Sequence, residues 1–213
     1  MNHKKHVIFD WNGTLVDDAW IFVDILNALL IPRGLKKITL YDYRDAFCFP
    51  IKSFYSQLGV DVSKKSFQDL EKEFVFEYNR RMYKPKLFKE VNGVLKKLIS
   101  RGFGLSILSA SNEKTLVKLI KYYSLNQYFE YVVGVNNYGA KGKRENGKKL
   151  IHQLGVNNKE ILMIGDTDYD YEVATYLNID CLLKINGHQS DQRLKLKTKN
   201  IITSLNDIAR DYQ

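Results

Sequence analysis

Asp10 is the residue whose sequence context most directly indicates a catalytic or ligand-binding role. It follows a run of strand-forming residues, Val7-Ile8-Phe9, and the turn-forming pair Asn12-Gly13 comes two residues later. In open α/β folds, ligands bind at the sheet edge formed by the carboxyl ends of the strands. A carboxylate at that edge can act as a metal ligand, a nucleophile or both, although Asp and Asn-Gly are also common in ordinary turns.

A second group of carboxylates follows another apolar run. The segment 161–164 leads into Gly165-Asp166, and Asp170 lies four residues further on, where a helix is expected to begin. Acidic residues are also frequent helix caps, so each one alone has a purely structural interpretation. Parallel neighbouring strands would nevertheless bring the two groups together. Converging carboxylates predict a site for a hard cation, usually Mg²⁺.

The two segments resemble motifs of the haloacid dehalogenase (HAD) superfamily, most of whose members are phosphatases. Residues 10–14 are similar to the first motif, Asp-x-Asp-Gly-Thr, and residues 165–170 match the fourth, Gly-Asp-x-x-x-Asp. The sequence Leu154-Gly155-Val156 ends the helix that leads into the fourth motif, as in phosphoglycolate-phosphatase-like members. The resemblance covers nearly the whole chain.

The two smaller motifs of the superfamily also have candidates. The second motif is a Ser or Thr that closes an apolar strand, and Ser109 is its better match, with Ser111 as the alternative. The third motif is a lysine upstream of the helix that ends at Leu154. Counting back along the family pattern identifies Lys141, with Lys143 as the alternative.

The resemblance implies a specific mechanism. Asp10 would attack phosphorus to form an aspartyl-phosphate, which water then hydrolyses. Mg²⁺ would be held by Asp10, Asp166 and the backbone carbonyl of Asn12. Ser109 would bind a phosphoryl oxygen, Lys141 would neutralise its charge, and Asp170 would orient Lys141 or a metal-bound water. Further substrate contacts are expected from Gly13, Thr14, Ser111 and Arg44.

The chain departs from the family pattern at Asn12, where a second aspartate is usual. That aspartate acts as general acid and base, which a carboxamide cannot do, and such catalysis contributes about 10²–10⁴-fold to the rate. Three alternatives follow. The substrate has a good leaving group, such as an acyl or aryl phosphate; another group, such as Asp17 or a cap residue, supplies the proton; or the protein is a slow or inactive HAD-fold binding or regulatory protein.

The alternation of strands and helices predicts an α/β fold with a Rossmann-like parallel sheet. Residues 1–17 and 84–213 are assigned to this core, whereas residues 18–83 show helical periodicity and no convincing strand. The resemblance identifies the latter as an all-helical C1 cap that would close over the site. Its first helix is expected from about Ala19 to the break at Pro32-Arg33-Gly34, and the others over 41–58, with a bend near Phe49-Pro50, and 66–82. The first of them carries an apolar stripe of Trp20, Val23, Leu26 and Leu30.

Substrate identity would be set by the cap. Its candidate contacts are Arg44, Phe47, Phe49, Lys52 and Tyr55, with packing as the alternative role, which we favour for the aromatic residues. His188 follows the last core strand, where it lies either near the site or on the surface.

Composition limits the classes of partner and location. The 213 residues are 45% hydrophobic with only 3 prolines, which predicts one folded domain or a domain with an insert. No run approaches the ~20 apolar residues of a membrane span, and no signal-peptide pattern is expected at the N-terminus. Two cysteines without CxxC spacing favour a reducing cytoplasm.

The formal charge of +9 raises the possibility of nucleic-acid binding, but no nucleic-acid-binding motif is visible. The charge therefore favours attraction of a small phosphorylated metabolite. The basic run 193–199 alternates with other residues, which predicts an edge strand protected by charge. Both a monomer and a homodimer are compatible with the sequence.

Overall fold

The parallel sheet predicted from the apolar runs forms the centre of the structure. The structure is a computed structural model that describes residues 4–136 and 142–208. Within these residues the strands are β1 (His6–Phe9), β2 (Val16–Asp17), β3 (Lys86–Leu87), β4 (Gly104–Asn112), β5 (Tyr131–Val135), β6 (Ile161–Gly165), β7 (Asp180–Lys184) and β8 (Ile201–Ile202). Six of them form one parallel sheet in the order β5-β4-β1-β6-β7-β8. The predicted α/β fold class is confirmed.

Helices cover the sheet and form a separate helical segment. They are α1 (Ala19–Leu30), α2 (Leu40–Ala46), α3 (Ile51–Gln57), α4 (Lys64–Arg81), α5 (Val91–Ser100), α6 (Glu113–Tyr122), α7 (Lys143–Leu154), α8 (Asp168–Tyr176) and α9 (Asp191–Lys197). No helix in the described part of the chain combines the length and apolar character needed to cross a bilayer.

The central position of β1 determines where Asp10 lies. All four residues of β1 are buried, as expected for a strand covered on both faces. It pairs in parallel with both β4 and β6, so that Phe9 lies beside Ile107 and Ile164. The next residue along β1, Asp10, therefore leaves the sheet at the same edge as the residues that follow β6.

The helical segment α1–α4 has an apolar core of its own. Leu26, Tyr43, Phe54 and Leu70 are buried within it. The expected bend near Phe49-Pro50 separates α2 from α3. The short pair β2 and β3, which the sequence did not predict, holds the two ends of the segment together by antiparallel pairing of Val16 with Leu87. The boundaries of the cap domain stay a prediction.

Two local predictions were wrong. Trp20 is not part of the buried stripe of α1: it is 39% exposed, and its indole N–H donates to the carbonyl oxygen of Asp17 (3.0 Å). The run 193–199 is not an edge strand, because most of it belongs to helix α9. Leu194 is buried while Leu196 is 90% exposed. Residues two positions apart lie on the same face of a strand but on different faces of a helix. The helical conformation therefore explains why one leucine is buried and the other exposed.

Candidate functional site

Three carboxylates and one lysine meet at the carboxyl edge of the sheet. One carboxylate oxygen from each of Asp10, Asp166 and Asp170 lies within 4.8 Å of the other two, and all three residues are buried. Lys143 Nζ donates to Asp10 Oδ1 (2.6 Å) and to Asp170 Oδ1 (2.5 Å), and its side chain is 2% exposed. The lysine therefore neutralises part of a charge cluster that would otherwise be expensive to bury.

The start of helix α8 positions Asp170. Thr167 and Asp170 form a capping box, in which each side chain bonds the other's backbone amide. Asp170 Oδ2 also accepts hydrogen bonds from the Thr167 hydroxyl (2.6 Å) and the Asp166 amide (3.2 Å). With Oδ2 occupied in this way, Oδ1 faces Lys143. The cap thus fixes the direction of the carboxylate.

Two glycines allow the Asp166 carboxylate to sit deep in the site. A Cβ on either Gly13 or Gly187 would come within 2.3 Å of Asp166 Oδ2. Asp166 Oδ1 accepts a hydrogen bond from Thr14 Oγ1 (2.9 Å), and Oδ2 accepts one from the His188 amide (2.6 Å). The first and fourth motifs are therefore in direct contact, as expected if they follow neighbouring parallel strands.

Burial dominates the electrostatics of the cluster. It raises the pKa of Asp10, and Lys143 counteracts this effect while Asp170 and Asp166 add to it. Burial also raises the pKa of Asp166. Burial opposes the charge on Lys143, but Asp10 and Asp170 together outweigh it and raise the pKa of that ammonium. Lys143 is therefore positively charged, and its single charge does not balance the negative charge of the three carboxylates.

Asn12 is held by three partners. Its Nδ2 donates to Asp18 Oδ2 (2.5 Å) and to the Tyr78 hydroxyl (3.2 Å), and its Oδ1 accepts from Ser111 Oγ (2.5 Å). This pattern uses both donor and acceptor functions of the amide, which a carboxylate could not reproduce. Asp17, the other acid considered as a proton donor, is exposed and is not among the residues lining the cavity.

His188, for which the sequence left two locations open, is buried beside the site. Its Nε2 lies 3.0 Å from Asp18 Oδ1, and its Nδ1 lies 2.6 Å from the Tyr43 hydroxyl. Burial alone would lower the pKa of His188, but Asp18, with further contributions from Asp166 and Asp10, raises it overall. The ring thereby links the helical segment to the sheet core.

Of the two serines predicted for the second motif, Ser111 contacts Asn12 and Ser109 lines the cavity that contains Asp10. Ser109 is buried in β4, and its Oγ accepts a hydrogen bond from the Ser111 amide (3.1 Å). The register of β4 against β5 shifts between Leu108 and Asn112, which alters the regular alternation of side chains there. Both serines line the same cavity as Asp10.

The lysine and arginine predictions have different outcomes. Lys141 lies outside the described residues, whereas Lys143, the alternative, makes the contacts given above. The guanidinium of Arg44 donates to the carbonyl oxygens of Gly187 and Asn186 (2.8 Å each) and does not line the cavity. Lys52 is exposed and does not line it either. Phe47, Phe49 and Tyr55 do line it.

A cavity of about 220 Å³ joins the carboxylate cluster to the helical segment. Asp10, Lys143 and Asp170 lie at its sheet side, and residues of α1–α4 form the opposite side. The cluster suits a hard divalent cation, since its oxygen ligands converge and carry more negative charge than Lys143 balances. The glycines that enclose Asp166 support this fit.

The family of the chain follows from a comparison of sequences. Residues 7–184 match the model of the family described as haloacid dehalogenase-like hydrolase. The chain belongs to this family. A phosphoglycolate phosphatase from Aquifex aeolicus is 28% identical to it over 85% of each chain. The pyrophosphatase PpaX of Halalkalibacterium halodurans is 26% identical over 77% of this chain and 75% of its own length.

Solved structures show the same fold. A haloacid dehalogenase-like family hydrolase from Streptococcus pneumoniae aligns over 100% of both chains with a TM-score of 0.84 and 19% identity. The protein tyrosine kinase PtkA of Mycobacterium tuberculosis aligns over 100% of this chain and 99% of its own with a TM-score of 0.82 and 19% identity. The match of residues 7–184 to the family model confirms the family predicted from the motifs.

Sequence reasoning missed two features of the site. Asp18 was not considered, although it contacts Asn12, His188 and the Gly13 amide. Gly187 was also missed, because its close approach to Asp166 depends on the path of the loop after β7. The only available signal was the Asn186-Gly187 pair directly after a predicted strand, which indicates a turn.

Proposed function

We propose that this protein is a magnesium-dependent phosphatase that hydrolyses a small phosphate ester or acyl phosphate through an aspartyl-phosphate at Asp10. One observation carries the proposal: Lys143 Nζ contacts both Asp10 and Asp170 beside Asp166, at the wall of the cavity. Phosphoryl transfer requires a nucleophile together with positive charge around the equatorial oxygens. The phosphatase names of the curated relatives agree with this assignment.

In the proposed reaction, Lys143 holds Asp10 Oδ1 and leaves Oδ2 to attack phosphorus. The bond from phosphorus to the leaving oxygen breaks, and that oxygen departs with the electron pair. Lys143 and Ser109 stabilise the oxygens of the phosphoryl group. Water then cleaves the bond between phosphorus and Asp10, which regenerates the carboxylate and releases phosphate.

Asp10, Asp166 and the backbone carbonyl of Asn12 would hold the Mg²⁺ ion. When bound, the ion would offset repulsion between the carboxylates and the incoming phosphoryl group. Residues 18–83 would act as the cap, because α1–α4 carry one side of the cavity and can exclude water from the bound phosphoryl group. In this account the lysine of the third motif is Lys143.

The test is release of inorganic phosphate from p-nitrophenyl phosphate and acetyl phosphate, with Mg²⁺ or with EDTA. We expect release that depends on Mg²⁺ and is lost in Asp10→Asn. The matched control is Asp24→Asn, which makes the same change at an exposed position of α1. Equal release by the Asp10→Asn variant would overturn the proposal.

A second candidate function is that of a slow or inactive HAD-fold binding protein. The observation that favours it is the engagement of Asn12 by Asp18, Tyr78 and Ser111, which leaves an amide where the family pattern has an acid. The same assay separates the two functions. No release by the native protein, together with release by Asn12→Asp, would favour the binding role.

A further inference from the structure

The cavity beyond the carboxylate cluster is lined by aromatic rings. They include Phe22, Phe49, Phe74, Tyr78 and Tyr169. Phe22 lies 5.3 Å from Phe74 and 5.5 Å from Tyr78 between ring centroids, and Phe49 lies 4.6 Å from Tyr169. Such centroid distances are those of rings packed against one another, so the rings give the cavity apolar, aromatic walls.

Within the part of the chain that the structure describes, lysine and arginine side chains line this cavity only at its sheet side. Among the described residues that line it, Lys143 is the only lysine or arginine, and its ammonium is engaged by Asp10 and Asp170. The nearby Arg44 is held by loop carbonyls, and the far wall includes the acidic residue Glu71. His188 also lines the cavity, but its two ring nitrogens face Asp18 and the Tyr43 hydroxyl. Among the described residues, a carboxylate on the leaving group would therefore be buried without a cation available to pair with it, which is unfavourable.

The chemistry at Asn12 restricts the leaving group in a second, independent way. A carboxamide cannot protonate the departing oxygen. A phenol has a pKa near 10, as in tyrosine, whereas water, a guide for an aliphatic alcohol, has one of about 15.7. A phenolate can therefore depart without a general acid much more readily than an alkoxide.

We infer that the substrate is a phosphate monoester of an uncharged phenol, with its ring against the wall formed by Phe22, Phe74 and Tyr78 and its phosphoryl group at Asp10. This inference rests on the proposed phosphatase function. The volume of about 220 Å³ is sufficient, since a cavity of about 150 Å³ holds benzene. In the reaction the phenolate leaves with the electron pair and takes a proton from solvent, and water completes the hydrolysis to phenol and phosphate.

The first test compares phenyl phosphate with 4-carboxyphenyl phosphate, cyclohexyl phosphate and phosphoglycolate. 4-Carboxyphenyl phosphate tests whether the cavity lacks a cation that would pair with a carboxylate. Cyclohexyl phosphate tests the leaving group, because it would leave as an alkoxide although its ring is of nearly the same size. We expect kcat/KM to be highest for phenyl phosphate and at least about tenfold lower for each of the other three, which corresponds to ~1.4 kcal/mol per decade.

A pair of variants tests where the ring binds. Phe74→Ala removes a ring that lines the cavity, whereas Phe76→Ala removes one that is 63% exposed on the same helix. We expect Phe74→Ala to raise KM for phenyl phosphate about three- to tenfold, as for loss of one aromatic contact. Hydrolysis of acetyl phosphate, which has no ring, should be unchanged in Phe76→Ala, and in Phe74→Ala the KM for acetyl phosphate should rise less than the KM for phenyl phosphate.

The outcomes separate this inference from the proposed function. Faster hydrolysis of phosphoglycolate than of phenyl phosphate would overturn the substrate class while the phosphatase function stood. An equal effect of Phe74→Ala and Phe76→Ala on KM would overturn the binding position of the ring. No phosphate release from any substrate, acetyl phosphate included, would overturn both proposals.

Discussion

Asn12 and Asp18 form a complementary pair, in which the amide Nδ2 donates to the carboxylate Oδ2 at 2.5 Å. Asp18 is fully buried, and its other oxygen accepts from the Gly13 amide (3.0 Å) and faces His188 Nε2. A carboxylate at position 12 would meet a second carboxylate at this distance. The amide of Asn12 therefore has a structural role as the hydrogen-bond donor to Asp18, in addition to the absence of a general acid at this position.

Exchanging the pair should separate its structural role from its chemical role. Asn12→Asp alone places two acids in contact, which cannot both ionise, and we expect it to lower the free energy of unfolding by about 1–3 kcal/mol. Asn12→Asp/Asp18→Asn restores one amide facing one carboxylate, so much of that stability should return. Urea unfolding of the four proteins in this double-mutant cycle measures the coupling. Additive changes would contradict a direct interaction.

Lys143 should be essential for activity and for stability. Lys143→Met leaves Asp10 and Asp170 without their shared cation, so we expect kcat to fall about 10²–10³-fold. The loss of a buried partner should cost about 3–5 kcal/mol of unfolding free energy. Lys149→Met, at an exposed position of the same helix, is the control. Lys141→Met tests the other candidate for the lysine of the third motif. Loss of activity in Lys141→Met but not in Lys143→Met would contradict the assignment to Lys143.

Gly187 should control the metal affinity through Asp166. A Cβ at this position would lie 2.3 Å from Asp166 Oδ2, so Gly187→Ala must displace the carboxylate. We expect the Mg²⁺ concentration for half-maximal activity to rise about 10–100-fold, as for loss of other contacts that orient a metal ligand. Gly93→Ala, where a Cβ meets nothing within 4 Å, should leave it unchanged. An unchanged Mg²⁺ requirement in Gly187→Ala would contradict the assignment of Asp166 as a metal ligand.

His6 should make the protein less stable in mild acid. Its burial lowers the pKa of the imidazole from 6.5 to about 4, and Nε2 lies 2.8 Å from Ser106 Oγ. Between these pH values the unfolded chain binds a proton that the folded chain does not, so stability falls as pH decreases from about 6.5 to about 4. We expect the native protein to lose about 1–2 kcal/mol more than His6→Gln over this interval, by urea unfolding. Parallel losses in the two proteins would rule out His6 as the cause.

The parts of the structure that follow from local pattern could be predicted. The buried strand before Asp10 and the apolar run before Asp166 each carry their own signal, because parallel strands at the centre of a sheet are continuously apolar. Helix α9 could not be predicted in this way, because the alternating Arg-Leu-Lys-Leu-Lys run fits a strand until the different burial of Leu194 and Leu196 is known.

The site was harder to predict wherever it depends on contacts between distant segments. Spacing along the chain could not choose between Lys141 and Lys143, since the choice depends on how α7 begins relative to Asp170. The pairing of Asn12 with Asp18 and the inward position of His188 depend on how the helical segment meets the loop after β7. Neither the turn sequence nor the helix pattern contains that information.

Trapping of the phosphorylated enzyme tests the central claim most directly. The native protein is mixed with acetyl phosphate and Mg²⁺, quenched in acid within the first turnovers, and the peptide that carries Asp10 is examined by mass spectrometry. Without an acid at position 12 to activate water, we expect one phosphoryl group on Asp10, and less of it in Asn12→Asp/Asp18→Asn. Phosphate release with no phosphoryl group on Asp10, or with the group on another residue, would contradict the account.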